Sequence, residues 1–148
     1  MTEQLPSGVA AARLDGEARD RFVRLRGPLG VTGMGLNVIV LEPGQRMRIH
    51  RHTSQEEVYV PLAGTLGLGF ADGERSFAVG EIVRVAPEVR RQVLNRGPEQ
   101  LQVLIIGAMT DREHEPRDAE PFADWSDPEP GTLHSVPVPD DLPTDAAA

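Results

Sequence analysis

The chain has no cysteine and no lysine, one tryptophan, one tyrosine, and no apolar run longer than "VLIIGAM" at 103–109. Each gap removes a class of chemistry. Without cysteine there is no disulfide framework, no thiolate metal ligand and no thiol nucleophile. All fifteen basic residues are arginine, which excludes Schiff-base catalysis and a lysine general base. So short an apolar run cannot cross a bilayer, so no membrane partner is expected. No basic cluster is interleaved with aromatics, so no nucleic-acid partner is expected either. The opening "MTEQLPSGVAAARLDGEARD" has no apolar run of signal-peptide length and carries early acids, which makes a soluble, cytoplasmic protein the expectation. The nucleophile-elbow pattern G-x-S-x-G is missing as well. What remains for chemistry is His, Asp, Glu, Ser, Thr, Arg, the single Tyr, or a bound metal.

At 148 residues the chain is most simply one domain with a core of its own. Its net charge of −8 is unevenly spread. Residues 111–148 carry eleven acids against two arginines, whereas residues 1–110 carry twelve acids against thirteen arginines. Seven of the thirteen prolines also lie beyond Thr110. That segment should run extended and without regular structure, with Phe122 and Trp125 pinning it to the body and the last several residues loose. The expected organisation is an N-terminal extension over 1–20, a β-barrel over 21–110 and an acidic, proline-rich arm over 111–148.

No long stretch keeps a 3.6-residue period; only 8–20, "GVAAARLDGEARD", suits a short helix. From Gly27 onward, proline and glycine separate short β-rich runs, among them "LNVIVLE", "RMRIHRH", "EEVYVPL", "TLGLGF", "EIVRVA" and "LQVLIIGAM". Many short strands at close spacing argue for an all-β sandwich or barrel. Asp72-Gly73, between "LGLGF" and "RSFAV", reads as a hairpin turn. The glycine-rich "GPLGVTGMG" at 27–35 is followed by no helix, so it does not read as a phosphate cradle.

The chemistry concentrates in "IHRHTSQEE", residues 49–57, which holds two of the four histidines. Residues i and i+2 of a strand share a face, so His50 and His52 project side by side. Glu57 opens the next run, where a neighbouring strand can bring its carboxylate to the same point. Two imidazoles and one carboxylate suit a divalent zinc, iron, manganese, nickel or cobalt ion with coordination positions left open. Tyr59 shares the face of Glu57. The same parity puts Arg46 and Arg48 beside the histidines unless a bulge intervenes. His114 and His134 in the arm have no spacing that recommends them as further ligands.

The spacing Gly44-x5-His50-x-His52-x4-Glu57-x6-Gly64 resembles the first sequence motif of the cupin superfamily at every fixed position. The second motif of that family, Gly-x5-Pro-x-Gly-x2-His-x3-Asn, corresponds to "GEIVRVAPEVRRQVLN" at 80–95. Gly80 and Asn95 match it, Ala86 and Glu88 stand at the proline and glycine positions, and Arg91 stands where the family has its third histidine ligand. The resemblance implies an all-β, small antiparallel jelly-roll barrel with its ligands inside, here with a short N-terminal extension and an irregular C-terminal arm. Small cupins commonly pair through an outer sheet face, and "LQVLIIGAM", apolar on both sides, suits a homodimer.

Arginine cannot ligate a metal, because its guanidinium stays protonated and has no acceptor. A unit positive charge about 6 Å from a divalent ion costs on the order of 5 kcal/mol at an effective dielectric near 20. Three outcomes follow. Arg91 binds an anion beside a metal on His50, His52 and Glu57; or Arg91 replaces the metal, pairing bidentately with Glu57; or the barrel mouth is a polar core without a ligand. In the first, Arg91 and Arg48, with Tyr59 beside them, steer a small anionic molecule. If that protein is an enzyme, it is a metal-dependent oxygenase or isomerase of cupin type. In the second it is a metal-free binding or regulatory module, and in the third a structural dimerisation barrel.

Overall fold

The computed structural model describes residues 4–18, 20–108 and 118–143. In chain order its elements are β1 (Phe22–Arg24), α1 (Arg26–Leu29), β2 (Gly35–Leu41), β3 (Ile49–His52), β4 (Glu56–Ala63), β5 (Leu66–Phe70), β6 (Gly73–Phe77), β7 (Val83–Val85), β8 (Gln92–Leu94), β9 (Leu101–Ala108) and β10 (Ala119–Phe122). All strand pairs are antiparallel, as the short punctuated runs imply. One sheet has the order β1-β2-β9-β4-β7. The other consists of β6-β5-β8 and β10-β3, joined where Arg46 bridges Leu94 and His50 bridges Arg91.

The two sheets meet through the inward side chains of alternating strands. Ile39, Leu41, Tyr59, Leu101, Val103 and Ile105 of the first sheet pack against Leu66, Leu68 and Val93 of the second. Along β9 the odd-numbered residues are buried and the even-numbered ones half-buried, so its period of two sets which side faces the core. Outside the first sheet, Leu14, Ala18, Leu25 and Leu29 cover Val38 and Val40. This is an all-β jelly-roll architecture. No helix among the described residues is long and apolar enough to cross a membrane.

The structure departs from the expected elements in three places. Residues 8–18 form no helix, and the one helical turn among the described residues lies at α1, ended by Gly30 in the left-handed conformation. The 66–77 hairpin forms, but its loop is Ala71-Asp72, because Gly73 already pairs with Phe70. The arm is not wholly irregular: β10 pairs with β3, from Ala119 opposite His52 to Phe122 opposite Ile49. Its proline takes no part as a donor, which suits an edge strand.

The connection into β3 decides which side chains reach the interior. Arg46 pairs with Leu94 and His50 with Arg91, so four residue steps on one side face three on the other. One extra residue is therefore inserted, a β-bulge. Met47 packs on the core, while Arg46, Arg48 and Ile49 line an outer groove.

Candidate metal centre

His50 and His52 leave β3 on its inner face, and Glu57 leaves the start of β4 toward them. One ligating atom from each residue can be chosen so that all three lie within 4.8 Å of one another. Glu57 Oε1 is 3.5 Å from His50 Nε2 and 3.2 Å from His52 Nε2. Two ligands about 2.1 Å from a shared ion, at near-tetrahedral or octahedral angles, lie about 3 Å apart, so the cluster is close to ligating dimensions. The imidazole rings meet edge to face, with centroids 5.1 Å apart.

Several neighbours hold these rings. His50 Nδ1 faces the main-chain carbonyl of Arg48 at 3.4 Å, which favours the ring proton on Nδ1 and leaves the Nε2 lone pair on the cluster side. His52 Nδ1 is 3.2 Å from the Gln55 amide and 3.6 Å from Asp118 Oδ2. Asp118 is itself fixed by the backbone N–H groups of Ser54 and Gln55, which donate to Oδ2 over 2.9 and 2.7 Å. The buried Nε2 of His52 makes no hydrogen bond of good geometry, and Glu57 Oε1 stands 3.2 Å from it.

Glu57 is held from the other side. Tyr59 donates its hydroxyl hydrogen to Oε1 over 2.7 Å, and Arg91 Nη2 donates to the same oxygen over 2.8 Å. Both bonds land on Oε1, and among the described residues none lands on Oε2. Burial pushes the Glu57 carboxyl up, but the His50 and His52 imidazoles beside it outweigh that and hold the group well below its usual range. Burial lowers His50 below its ordinary value and raises the Tyr59 hydroxyl well above its own. The cluster therefore presents a carboxylate, a neutral His50 and a tyrosine that keeps its proton. That donor set fits a divalent metal on His50, His52 and Glu57.

A cupin-domain family model matches residues 37–107, the stretch that carries these three residues. This stretch is a cupin domain. A search of curated proteins by sequence finds no match. Among solved structures, a cupin protein from Bacteroides fragilis superposes with a TM-score of 0.59 at 22% identity, over 72% of this chain and 89% of that one. A sugar phosphate isomerase from the cupin superfamily of Silicibacter pomeroyi gives 0.56 at 21% identity, over 87% and 93%. A putative sugar phosphate isomerase from Acidithiobacillus ferrooxidans gives 0.54 at 28% identity, over 62% of this chain and 60% of that chain.

Where the family motif has its third histidine, the cupin domain holds Arg91 facing inward and wholly buried. Its guanidinium is fully engaged. Nε donates to the Tyr59 hydroxyl, Nη2 to Glu57, and Nη1 to the carbonyls of Val89, Ala86 and Pro87 at 2.7, 3.3 and 3.3 Å. The pair with Glu57 is single, not the bidentate fork expected for an arginine that displaces the metal, because the other two nitrogens are drawn to Tyr59 and to the backbone. A guanidinium with every nitrogen committed has little left with which to steer a free anion.

Arg48 is not on the face of the histidines. The bulge reverses the parity argument, and Arg48 reaches the outer side, where Nε donates to the carbonyl of Val136. Tyr59 does stand in the cluster, as the donor to Glu57. His134 is exposed and belongs to no ligating group, and His114 lies outside the described residues. Sequence reasoning missed Gln55, Asp118 and Gly107. A Cβ on Gly107 would stand 2.2 Å from Gln55 Oε1, so that glycine makes room for the side chain that braces His52. The place of Gln55 inside the motif, between His52 and Glu57, was the available signal, whereas Asp118 lies 63 positions beyond it.

Proposed function

We propose that the cupin domain binds a divalent transition metal through His50, His52 and Glu57 and takes a small anionic molecule at the remaining coordination positions. The observation that carries this reading is the convergence of His50, His52 and Glu57, whose ligating atoms lie within 4.8 Å of one another. Charge supports the anionic ligand. Arg91 and Glu57 cancel, so a divalent ion with the buried Asp118 behind His52 would leave the pocket at about +1 without help from Arg48. Bound there, a metal supplies Lewis-acid polarisation or oxygen activation. The residues around it orient: Tyr59 and Arg91 hold Oε1, while Gln55 and Asp118 hold the far side of His52. The likeness to a putative sugar phosphate isomerase at 28% identity supports isomerisation of a small phosphorylated substrate over oxygenation. Half-buried Val58, Val60 and Ile106 on the outer face of the first sheet support pairing of two copies.

The test is elemental analysis of the purified, untagged protein beside its His52→Ala variant. Near-stoichiometric metal that disappears in the variant supports the reading. A second reading, a metal-free binding module, is favoured by the Arg91–Glu57 contact at 2.8 Å. It gains if no ion is retained after soaking with zinc, iron, manganese or nickel while a small anion still raises the melting temperature.

A further inference from the structure

The outer side of the second sheet carries an open groove of about 290 Å³, bordered by the arm and lined by Arg46, Arg48, Gln92, Phe122 and Trp125 together with Val136. It is separate from the metal cluster. His50 and Arg91 face the core, whereas their chain neighbours Ile49 and Gln92 face the groove, so one layer of sheet lies between the two sites.

Its two arginines are arranged alike. Arg46 Nε donates to the carbonyl of Asp140 over 2.8 Å, and Arg48 Nε donates to that of Val136, four residues earlier. These are the only side-chain hydrogen bonds either makes among the described residues, and neither forms an ion pair there. Two guanidinium groups are thus fixed at Nε, with their Nη edges unclaimed, in a chain with an excess of acids. Of the lining residues only Asp124 is acidic, and its Oδ1 accepts from the N–H and hydroxyl of Ser126. Gln92 turns its amide to the Met47 carbonyl, and the rest of the lining is apolar. The Trp125 ring rests over Gly69, whose missing Cβ would stand 3.3 Å from Cζ2, and Phe122 forms part of the wall.

We propose that this groove is a second binding site, taking a small molecule that joins a carboxylate or phosphate to a single flat apolar ring. The anionic group would lie on the Nη edges of Arg46 and Arg48, which suit paired hydrogen bonds to planar or tetrahedral oxyanions. The ring would lie against Trp125. The volume is at the small end of ligand pockets, which limits the occupant to about one ring and its acid group.

Trp125 is the only tryptophan, so its fluorescence reports on this groove directly. Benzoate and phenyl phosphate are titrated into the untagged full-length protein, with inorganic phosphate alone as a third probe. A saturable change in emission with a ring-bearing acid is expected, weakened about tenfold or more in Arg48→Gln by loss of charge-assisted bonds. Inorganic phosphate should bind more weakly than phenyl phosphate, and His52→Ala should leave binding intact. No saturable change with any probe overturns the proposal. So does binding that Arg48→Gln does not weaken, or binding that His52→Ala abolishes, which would place the ligand at the metal cluster instead. Loss of metal in His52→Ala tests the proposed function alone, so the two can fail separately.

Discussion

Replacing Arg91 by methionine should move stability and metal affinity in opposite directions. Arg91 is wholly buried and serves Tyr59, Glu57 and three main-chain carbonyls. Methionine fills similar space with no donor. Removing one partner of a buried ion pair costs about 3–5 kcal/mol, because the other charge stays behind unpaired. Carbonyls stripped of their donor add to that wherever water cannot reach them. The metal-free variant should therefore lose about 3–5 kcal/mol in urea unfolding, or roughly 6–20 °C of melting temperature at this chain length. Metal binding should tighten, since a positive charge competing for Glu57 has gone. Near a divalent ion such a charge is worth on the order of 5 kcal/mol before partial cancellation by Glu57, so a gain of at least about tenfold is expected by calorimetric titration with Mn²⁺ or Zn²⁺. A stability loss under about 1 kcal/mol would refute the buried network. Unchanged or weaker metal binding would refute the competition.

Gly107→Ala should push Gln55 off His52, since the added carbon would overlap the Gln55 amide, and should weaken metal binding by about 10–100-fold in the same titration. The urea midpoint of the metal-free protein should be flat from about pH 7 to about 9 and fall below that range in two windows. Burial lowers His50 below its ordinary 6.5, so under about that pH the unfolded chain binds a proton that the folded one refuses. Glu57, held well under its ordinary 4.5 despite desolvation, brings the second loss below that value; His50→Asn should remove the upper window and shrink the lower one, because His50 is the first of the groups that lower Glu57. Arg90→Ala should loosen the arm, because the guanidinium lies 3.7 Å from the Phe122 ring centroid and donates to the carbonyls of Trp125 and Asp127; amide hydrogen exchange over 119–131 should quicken while that of β9 stays slow.

The fold and the three clustered residues were legible because local rules carry them. Strand parity put His50 with His52 and Glu57 with Tyr59, and the motif spacing supplied the fold. Arg48 was misplaced because the same parity fails across an inserted residue, and a bulge leaves no reliable mark in one sequence. The strand β10 was hidden by its "AEPF" composition, which reads as loop; it exists because β3 offers an unpaired edge. The single Arg91–Glu57 contact also could not be read locally. It depends on where the carbonyls of 86, 87 and 89 fall, and only the folded loop before β8 decides that.

The arm is held mostly by its own main chain. Arg46, Arg48 and Arg90 reach the carbonyls of Asp140, Val136, Trp125, Asp127 and Pro128, and the Leu142 N–H donates to the carbonyl of Gly44. Since the arm contributes main-chain carbonyls and, at Leu142, a main-chain N–H, most side chains along it can drift through evolution without losing these anchors. Acids there can accumulate or disappear for reasons of solubility, while the staples persist at ionic strengths that would dissolve a belt of surface ion pairs. An engineer could recode much of the arm and leave its course over the sheet unchanged, provided the three arginines beneath it are kept.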